Sequence, residues 1–261
     1  MESIFVAETS GGLAGTACFS LTPYGNRVYG LRGNVVVVPE FRRQGIGKAL
    51  LDELGKEVRL WQVERLFAWR PTAYPQEQTR LLSWGFQPEY HNYTFEIFSV
   101  PTIAALAPKV EKLRAHKKIP TDLIIAPLRT LDIVPASSLY AQFYGMDSQQ
   151  AQHRLNYLLR DERCARYSIG ITQNGLLLGL IVWDGSGEVP SVDLLAVSPS
   201  WKSPSGPLLL LYESVRIFFE AGEEKAHYKC SDAVSFSLQI ARLSGAKQVK
   251  DEVAYSLDLR R

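Results

Sequence analysis

Two stretches of this chain carry the same punctuation at the same spacing, and no other feature constrains the fold as tightly. The β-branched run Val35-Val36-Val37-Val38 is stopped by Pro39, and a helical pattern later ends at Gly85. The apolar run at 191–197 is stopped by Pro199, and a helical pattern ends at Gly245. The intervals are equal, 85 − 39 = 46 and 245 − 199 = 46 residues. The order of patterns inside them is equal too, helix, short strand, helix, and a long strand follows each. A hairpin-like pair precedes each. Shared spacing and shared order point to tandem duplication of one α+β unit.

In the first half, 4–8 and 13–21 read as strands around the turn Ser10-Gly11-Gly12. After the turn Tyr24-Gly25-Asn26, residues 30–38 read as a buried strand. Ala49, Leu50, Leu51, Leu54, Val58 and Trp61 recur at helical spacing and predict a helix over about 47–63. A strand at 65–69, a helix over Pro75–Ser83 with proline in its first turn, and a strand at 86–98 complete the half. The segment 101–121, rich in lysine from Lys109 to Lys118, reads as a connecting helix with a solvated basic face, with a basic ligand patch as the sharper alternative. The second half predicts a strand at 123–128, helices at 131–144 and 148–160, and strands at 166–173, 176–183 and 191–197. A helix at 207–221, a strand at 226–230, a helix at 233–244 and a strand at 252–259 follow. The domains are therefore 1–99 and 121–261, joined by 100–120.

Composition excludes several classes. An apolar fraction of 46% and a charged fraction of 21% describe a folded globular chain. A net charge of +2 is too small to indicate nucleic acid. No apolar run approaches the roughly 20 residues that span a bilayer, and Glu2 stands where a signal peptide would be basic. A cytoplasmic protein without a membrane segment is expected. Cys18, Cys164 and Cys230 are far apart, and four histidines are scattered, so neither a disulfide framework nor a metal site is implied.

The chemistry-bearing segment is Arg42-Arg43-Gln44-Gly45-Ile46-Gly47-Lys48, between the strand that Pro39 stops and the helix that follows. The first amides of a helix have no internal partner, and the helix dipole favours an anion there. Glycine lets the backbone turn and a phosphate approach. Successive amides can form a nest, and two arginines and a lysine add charge. Leu50 stands where a dinucleotide fingerprint needs its third glycine, and no Gly-Lys-Ser/Thr follows, so neither other phosphate motif fits.

Residues 37–51, from Val37-Val38-Pro39 through Arg42, Gly45 and Gly47 to Leu51, resemble the acetyl-CoA signature of the GNAT superfamily of N-acyltransferases. Trp84-Gly85-Phe86 resembles the Gly-Phe that closes a later helix of that family. The likeness covers about residues 3–98, and the repeat extends it over most of the chain. It implies two tandem α+β units, each a mixed, mostly antiparallel sheet flanked by helices. It further implies acetyl-CoA or another acyl-CoA as cosubstrate, without a metal. The pyrophosphate would lie on the amides of Arg43, Gln44, Gly45, Ile46, Gly47 and Lys48, beside Arg42. The pantetheine arm would pair with Val35, Val36 and Val37 where two central parallel strands splay apart. The amide of Val37 would be the oxyanion donor.

The sequence departs from the family in places. At the second signature Lys202, Ser205 and Pro207 replace Arg42, Gly45 and Gly47, and Pro204 and Pro207 have no N–H to donate. One cofactor per chain is expected, in the first half. The family's general-acid tyrosine falls on Leu81 and its helix-start asparagine on Tyr74, so Tyr74 is the candidate catalytic hydroxyl. No acid lies on the strand 30–38, which offers Arg32 and Asn34; Glu40, Glu89 and His91 are the nearest candidate bases. The first half has only Met1-Glu2-Ser3 where the second has a strand and two helices, so the second repeat or a partner chain, such as a homodimer mate, would have to cover its acceptor side. The implied activity is direct attack of an amine, small molecule or protein, on the thioester in a ternary complex. Two alternatives compete: a non-catalytic acyl-CoA-binding or scaffold protein, and an aminoacyl-type transferase, against which the intact cradle argues.

Overall fold

The computed structural model describes residues 2–24, 28–60, 65–144, 146–201 and 205–259. Contacts divide the chain into two compact units, Met1–Asn92 with Glu252–Arg261, and Tyr93–Asp251.

Unit 1 begins with an antiparallel meander of β1 (Glu2–Thr9), β2 (Gly12–Tyr24) and β3 (Val28–Val37). Strand alternation sorts the side chains onto two faces. Phe5, Ala7, Ala17, Val35 and Val37 pack with Leu50, Leu51 and Leu54 of α1 (Ile46–Leu60). Ile4, Val6 and Val36 point to the opposite face and are exposed. β4 (Arg65–Ala68) runs parallel to β3, followed by α2 (Pro75–Ser83) and β5 (Gln87–Phe98). The far end of the chain closes this unit. In β11 (Lys247–Asp258), Ser256, Leu257 and Asp258 lie antiparallel to Phe67, Leu66 and Arg65. Tyr255 and Leu259 are buried with Leu66 and Phe86.

Unit 2 contains α3 (Ser99–Ala115), β6 (Ile124–Pro127), α4 (Ile133–Tyr144), α5 (Ser148–Leu158), α6 (Glu162–Tyr167) and β7 (Ile169–Gln173). β8 (Leu176–Asp184), β9 (Ser191–Val197), α7 (Ser205–Glu220), β10 (Lys225–Ser231) and α8 (Ser235–Leu243) complete it. Strands β6 to β9 pair antiparallel in chain order, and β10 is parallel to β9. Trp183 stacks on Phe218 at 4.9 Å in its core. Here α4 and α5 cover the second sheet face, burying Leu180, Val182, Leu194 and Ala196.

The duplication is visible in the elements. α2 and α8 have nine residues each and start 235 − 75 = 160 apart; β5 and β11 have twelve each and start 247 − 87 = 160 apart. Gly85 and Gly245 follow the two helices with φ of 87° and 70°, as a left-handed helix stop requires. The units nevertheless do not coincide with the repeats. Residues 93–98 of β5 belong to unit 2, and residues 252–258 of β11 to unit 1. Sheet strands average 5–6 residues, so twelve residues suffice to serve two units.

Three expectations change. Residues 166 and 167 are helix, not strand, because the Asp161 carboxylate accepts from the Cys164 N–H at 2.9 Å and starts α6. α7 begins at Ser205 rather than Pro207, whose missing N–H is harmless in a first turn. The segment 100–120 is mainly the expected helix, α3, with Lys112 exposed, but it sinks Leu106 and Val110 into the core of unit 2 and so belongs to that unit rather than connecting two. Gly25, Asn26, Trp61, Lys202 and Pro204 lie outside the described residues.

Candidate functional site

The site grows from a divergence of two strands in unit 1. β3 pairs with β4 only through Leu31, Arg32 and Gly33, opposite Leu66, Phe67 and Ala68. Past Gly33 it keeps β2 on one side and loses β4 on the other. The Val38 N–H donates to Ala14 O at 3.0 Å, toward β2. By the period of two, the N–H groups of Val35 and Val37 point to the side that β4 has left. Arg42 Nε donates to Val37 O on that side at 3.1 Å. The strands thus open a wedge, one wall of which is an edge of β3 that β4 does not pair.

A cavity of about 550 Å³ fills this wedge. Buried Leu51, Leu54 and Leu66 line it, together with Asn34, Val35, Val36, Trp69, Glu77, Leu81 and Trp84. The chain beyond β4 is held by Thr72, whose backbone exchanges bonds of 2.9 and 3.0 Å with Val253. That bridge fixes the start of α2 beside the opening.

The cradle adjoins it. A 3-10 turn at Pro39–Phe41 leads into Arg42, extended, then Arg43 at φ 66° and Gly45 at φ 82°. The first helical bond runs from Ala49 N–H to Gly45 O at 3.0 Å. The amides of Ile46, Gly47 and Lys48 therefore precede the ladder and have no intrahelical acceptor. No acid occupies the first turn of α1 to compete for them. A second cavity, of about 600 Å³, is lined by Val35, Val36, Val37, Arg42, Arg43, Gly45, Gly47 and Lys48, all expected from the sequence. Phe41, Arg80 and Trp84 line it as well, and Val35, Val36, Arg80 and Trp84 line both cavities. Gln44 and Ile46 do not: Gln44 Nε2 donates to Glu40 O at 3.3 Å, and Ile46 packs on the unit 1 core.

The expected proton-moving residues are placed elsewhere. Tyr74 caps α2, is 67% exposed and lines neither cavity; its N–H donates to Thr72 Oγ1 at 3.1 Å. Glu40 is exposed on the 3-10 turn. Glu89 pairs with Arg65 and accepts from Ser256 Oγ at 2.7 Å. His91 lies half-buried on β5. Sequence reasoning passed over Glu77 and Arg80, and met Trp84 only beside the Gly-Phe that closes the helix, as an aromatic read as core. The only signal for Glu77 and Arg80 is position, on the short helix that starts at Pro75.

In unit 2 the corresponding helix start is filled by protein. Ser205, Gly206 and Pro207 are buried. A Cβ on Gly206 would lie 2.9 Å from the Trp201 ring, and Ser205 Oγ donates to Lys118 O at 3.2 Å. Asp193, on β9 at the position equivalent to Gly33 (193 − 160 = 33), accepts from Tyr140 at 2.6 Å and pairs with Arg154 at 3.5 Å. Burial, then the Asp193 charge, raises the Tyr140 and Tyr144 phenols well above their ordinary value. This is a closed polar cluster. Among the described residues no group of three His, Cys, Asp or Glu could hold a metal, and no helix is long and apolar enough to cross a membrane.

Comparison with known proteins agrees with this geometry. Residues 1–84 match the family model of the acetyltransferase (GNAT) domain. No curated protein matches the chain. Solved structures do. A GCN5-related N-acetyltransferase from Sphaerobacter thermophilus is 13% identical with a TM-score of 0.61, over 99% of this chain and 81% of that one. A tandem GNAT protein from the clavulanic acid biosynthesis pathway is 15% identical with a TM-score of 0.55, over 99% and 83%. A GCN5-related N-acetyltransferase from Anabaena variabilis is 16% identical with a TM-score of 0.61, over 98% and 62%. The likeness to these structures is one of fold, and it extends through both halves.

Proposed function

We propose that this chain, which has the tandem GNAT fold and carries a GNAT domain match over its first 84 residues, is an N-acyltransferase that binds one acyl-CoA, in unit 1. The observation that carries the reading is the adjacency of the amide nest at 43–48 to the wedge between β3 and β4. The pyrophosphate lies on the free amides of α1 near Arg42, Arg43 and Lys48. The pantetheine arm pairs with the vacated edge of β3. The thioester then lies in the wedge. Val35 lines both cavities whereas Val37 lines only the cradle side, so Val35 N–H is the better donor to the thioester oxygen as it gains charge. An amine attacks the carbonyl carbon directly, the C–S bond breaks and the electron pair leaves on sulfur. Holding both reactants in the wedge supplies much of the acceleration. Tyr74 and Leu81 do not furnish the acid, so the thiolate is protonated through solvent.

The test is thiol release from acetyl-CoA in the presence of primary amines, with Gly47→Ala as the binding control. A Cβ at Gly47 would meet Val37 at 3.5 Å and Trp84 at 3.8 Å, ordinary contacts that the fold tolerates. It would stand where the phosphate approaches. The variant should melt like the parent and bind acetyl-CoA roughly tenfold or more weakly, a loss of about 1.4 kcal/mol or more. Unchanged affinity would remove the cradle assignment. Tight binding with no turnover of any amine would instead make the protein a CoA-binding scaffold.

A further inference from the structure

The proposed reaction leaves one chemical demand without a residue. An alkylamine is an ammonium ion in neutral water and cannot attack until it loses a proton. Among the described residues that line the two cavities, Glu77 is the only acid; Arg42, Arg43, Lys48, Arg70 and Arg80 are cationic. We infer that Glu77 is a catalytic residue that binds the acceptor's ammonium group and takes its proton, and that the acceptor is a primary alkylamine on an apolar stem. This rests on the N-acyltransferase reading of the same site.

The carboxylate is held for that task. Thr72 is 3% exposed and anchored to Val253 by its backbone. Its hydroxyl donates to Glu77 Oε2 at 2.5 Å, and Gln78 Nε2 donates to Thr72 O at 3.2 Å. Oε2 is thereby fixed. Oε1 lies 3.8 Å from Arg70, beyond hydrogen-bond distance, and that arginine is 74% exposed, so the pair is weak and screened. Oε1 keeps its capacity to accept from a ligand. Of the charged residues on the adjoining elements, Arg80 follows three residues along α2 and Glu252 adjoins Val253 in β11. Trp69, Leu81 and Trp84 line the same cavity and would meet an apolar stem.

The protons balance. The ammonium gives one proton to Glu77, which passes it to solvent. The freed lone pair forms the C–N bond as C–S breaks and the pair moves to sulfur. The surplus proton on nitrogen then reaches the thiolate through water, leaving amide, CoA thiol and one released proton.

The experiment uses the full chain with acetyl-CoA and two probes, hexylamine and 2-phenylethylamine. Glu77→Gln keeps the side chain's size and an oxygen for the Thr72 hydroxyl. Acetyl-CoA affinity should be unchanged, while the acetylation rate at pH 7 falls roughly 100-fold. The variant's rate should then climb about tenfold per pH unit, following the free-base fraction of the amine, and close on the parent. Glu77→Asp retains the charge one methylene short; it should fold and fall between the two, and it decides the matter if the glutamine variant does not fold. A glutamine variant as fast as the parent at pH 7 overturns the role of Glu77 and leaves the N-acyltransferase reading standing. Failure of both probes, in a parent that acetylates other amines, overturns the acceptor class. A parent that binds acetyl-CoA but acetylates no amine overturns both.

Discussion

Direct attack by an amine requires that no cysteine carry the acyl group; Cys18 is half-buried on β2, and the two buried thiols, Cys164 and Cys230, meet that condition. Burial pushes the Cys164 thiol up to about 11 and the Cys230 thiol up to about 11. The Gly185 N–H, 2.8 Å from the Cys164 sulfur, offsets only part of this. A raised thiol pKa keeps the group protonated, and only the thiolate is nucleophilic. At pH 8 about one molecule in a thousand would be thiolate at either site. Iodoacetamide at pH 8 should therefore label both residues more than about a hundredfold slower in the native chain than after denaturation. Prompt labelling of Cys164 or Cys230 that also abolished turnover would reopen a covalent acyl-enzyme route.

At the scale of elements, the two repeats differ at the helix start that follows the proline-stopped strand: the first is open and the second is filled. The scaffold around them is common. Gly15 in β2 and Gly179 in β8 face the carbonyls of Val36 and Ala196, with Leu50 and Leu210 beside them, 210 − 50 = 160 residues apart. A Cβ on Gly15 would lie 2.7 Å from Val36 O, a backbone atom that cannot rotate away. Gly15→Ala should thus push β2 from β3 and cost roughly 1–3 kcal/mol. The measurement is thermal unfolding; a melting point equal to the parent's would show that the hairpin has slack there. Much of this was legible in the chain. The equal 46-residue intervals, the proline-stopped strands and the glycine-stopped helices are local signals, and they placed nearly every element; the helix-start motif and the resemblance it carries named eight residues that line the cradle cavity. What the sequence hid depends on distant contacts. The filling of the second helix start rests on Trp201 against Gly206. The role of Glu77 rests on Thr72, which no local rule pairs with Val253, 253 − 72 = 181 residues away.

At the scale of the whole molecule, a second repeat whose own helix start is filled still has a structural reason to be present: its closing strand belongs to unit 1. Ser256, Leu257 and Asp258 pair with β4, Val253 bridges Thr72, and Tyr255, Leu257 and Leu259 pack against the unit 1 core. Burying side chains of that size is worth about 1.5–3 kcal/mol each. Tyr255 and Leu259 are buried and Leu257 half-buried, and together they amount to a sizeable part of the roughly 5–15 kcal/mol that holds a domain together. A chain ending at Asp251 should therefore lose unit 1 and keep unit 2, whose residues 93–251 are intact. Proteolysis should cut within 1–92 and spare the core strands β7 to β10. Acetyl-CoA should no longer bind, although every cradle residue is still present. Adding the peptide 252–261 in trans should restore part of the binding if the strand alone is missing. A truncated chain that bound acetyl-CoA as tightly as the parent would show that the first repeat closes its own sheet, and the exchange of closing strands would then be no condition for the site.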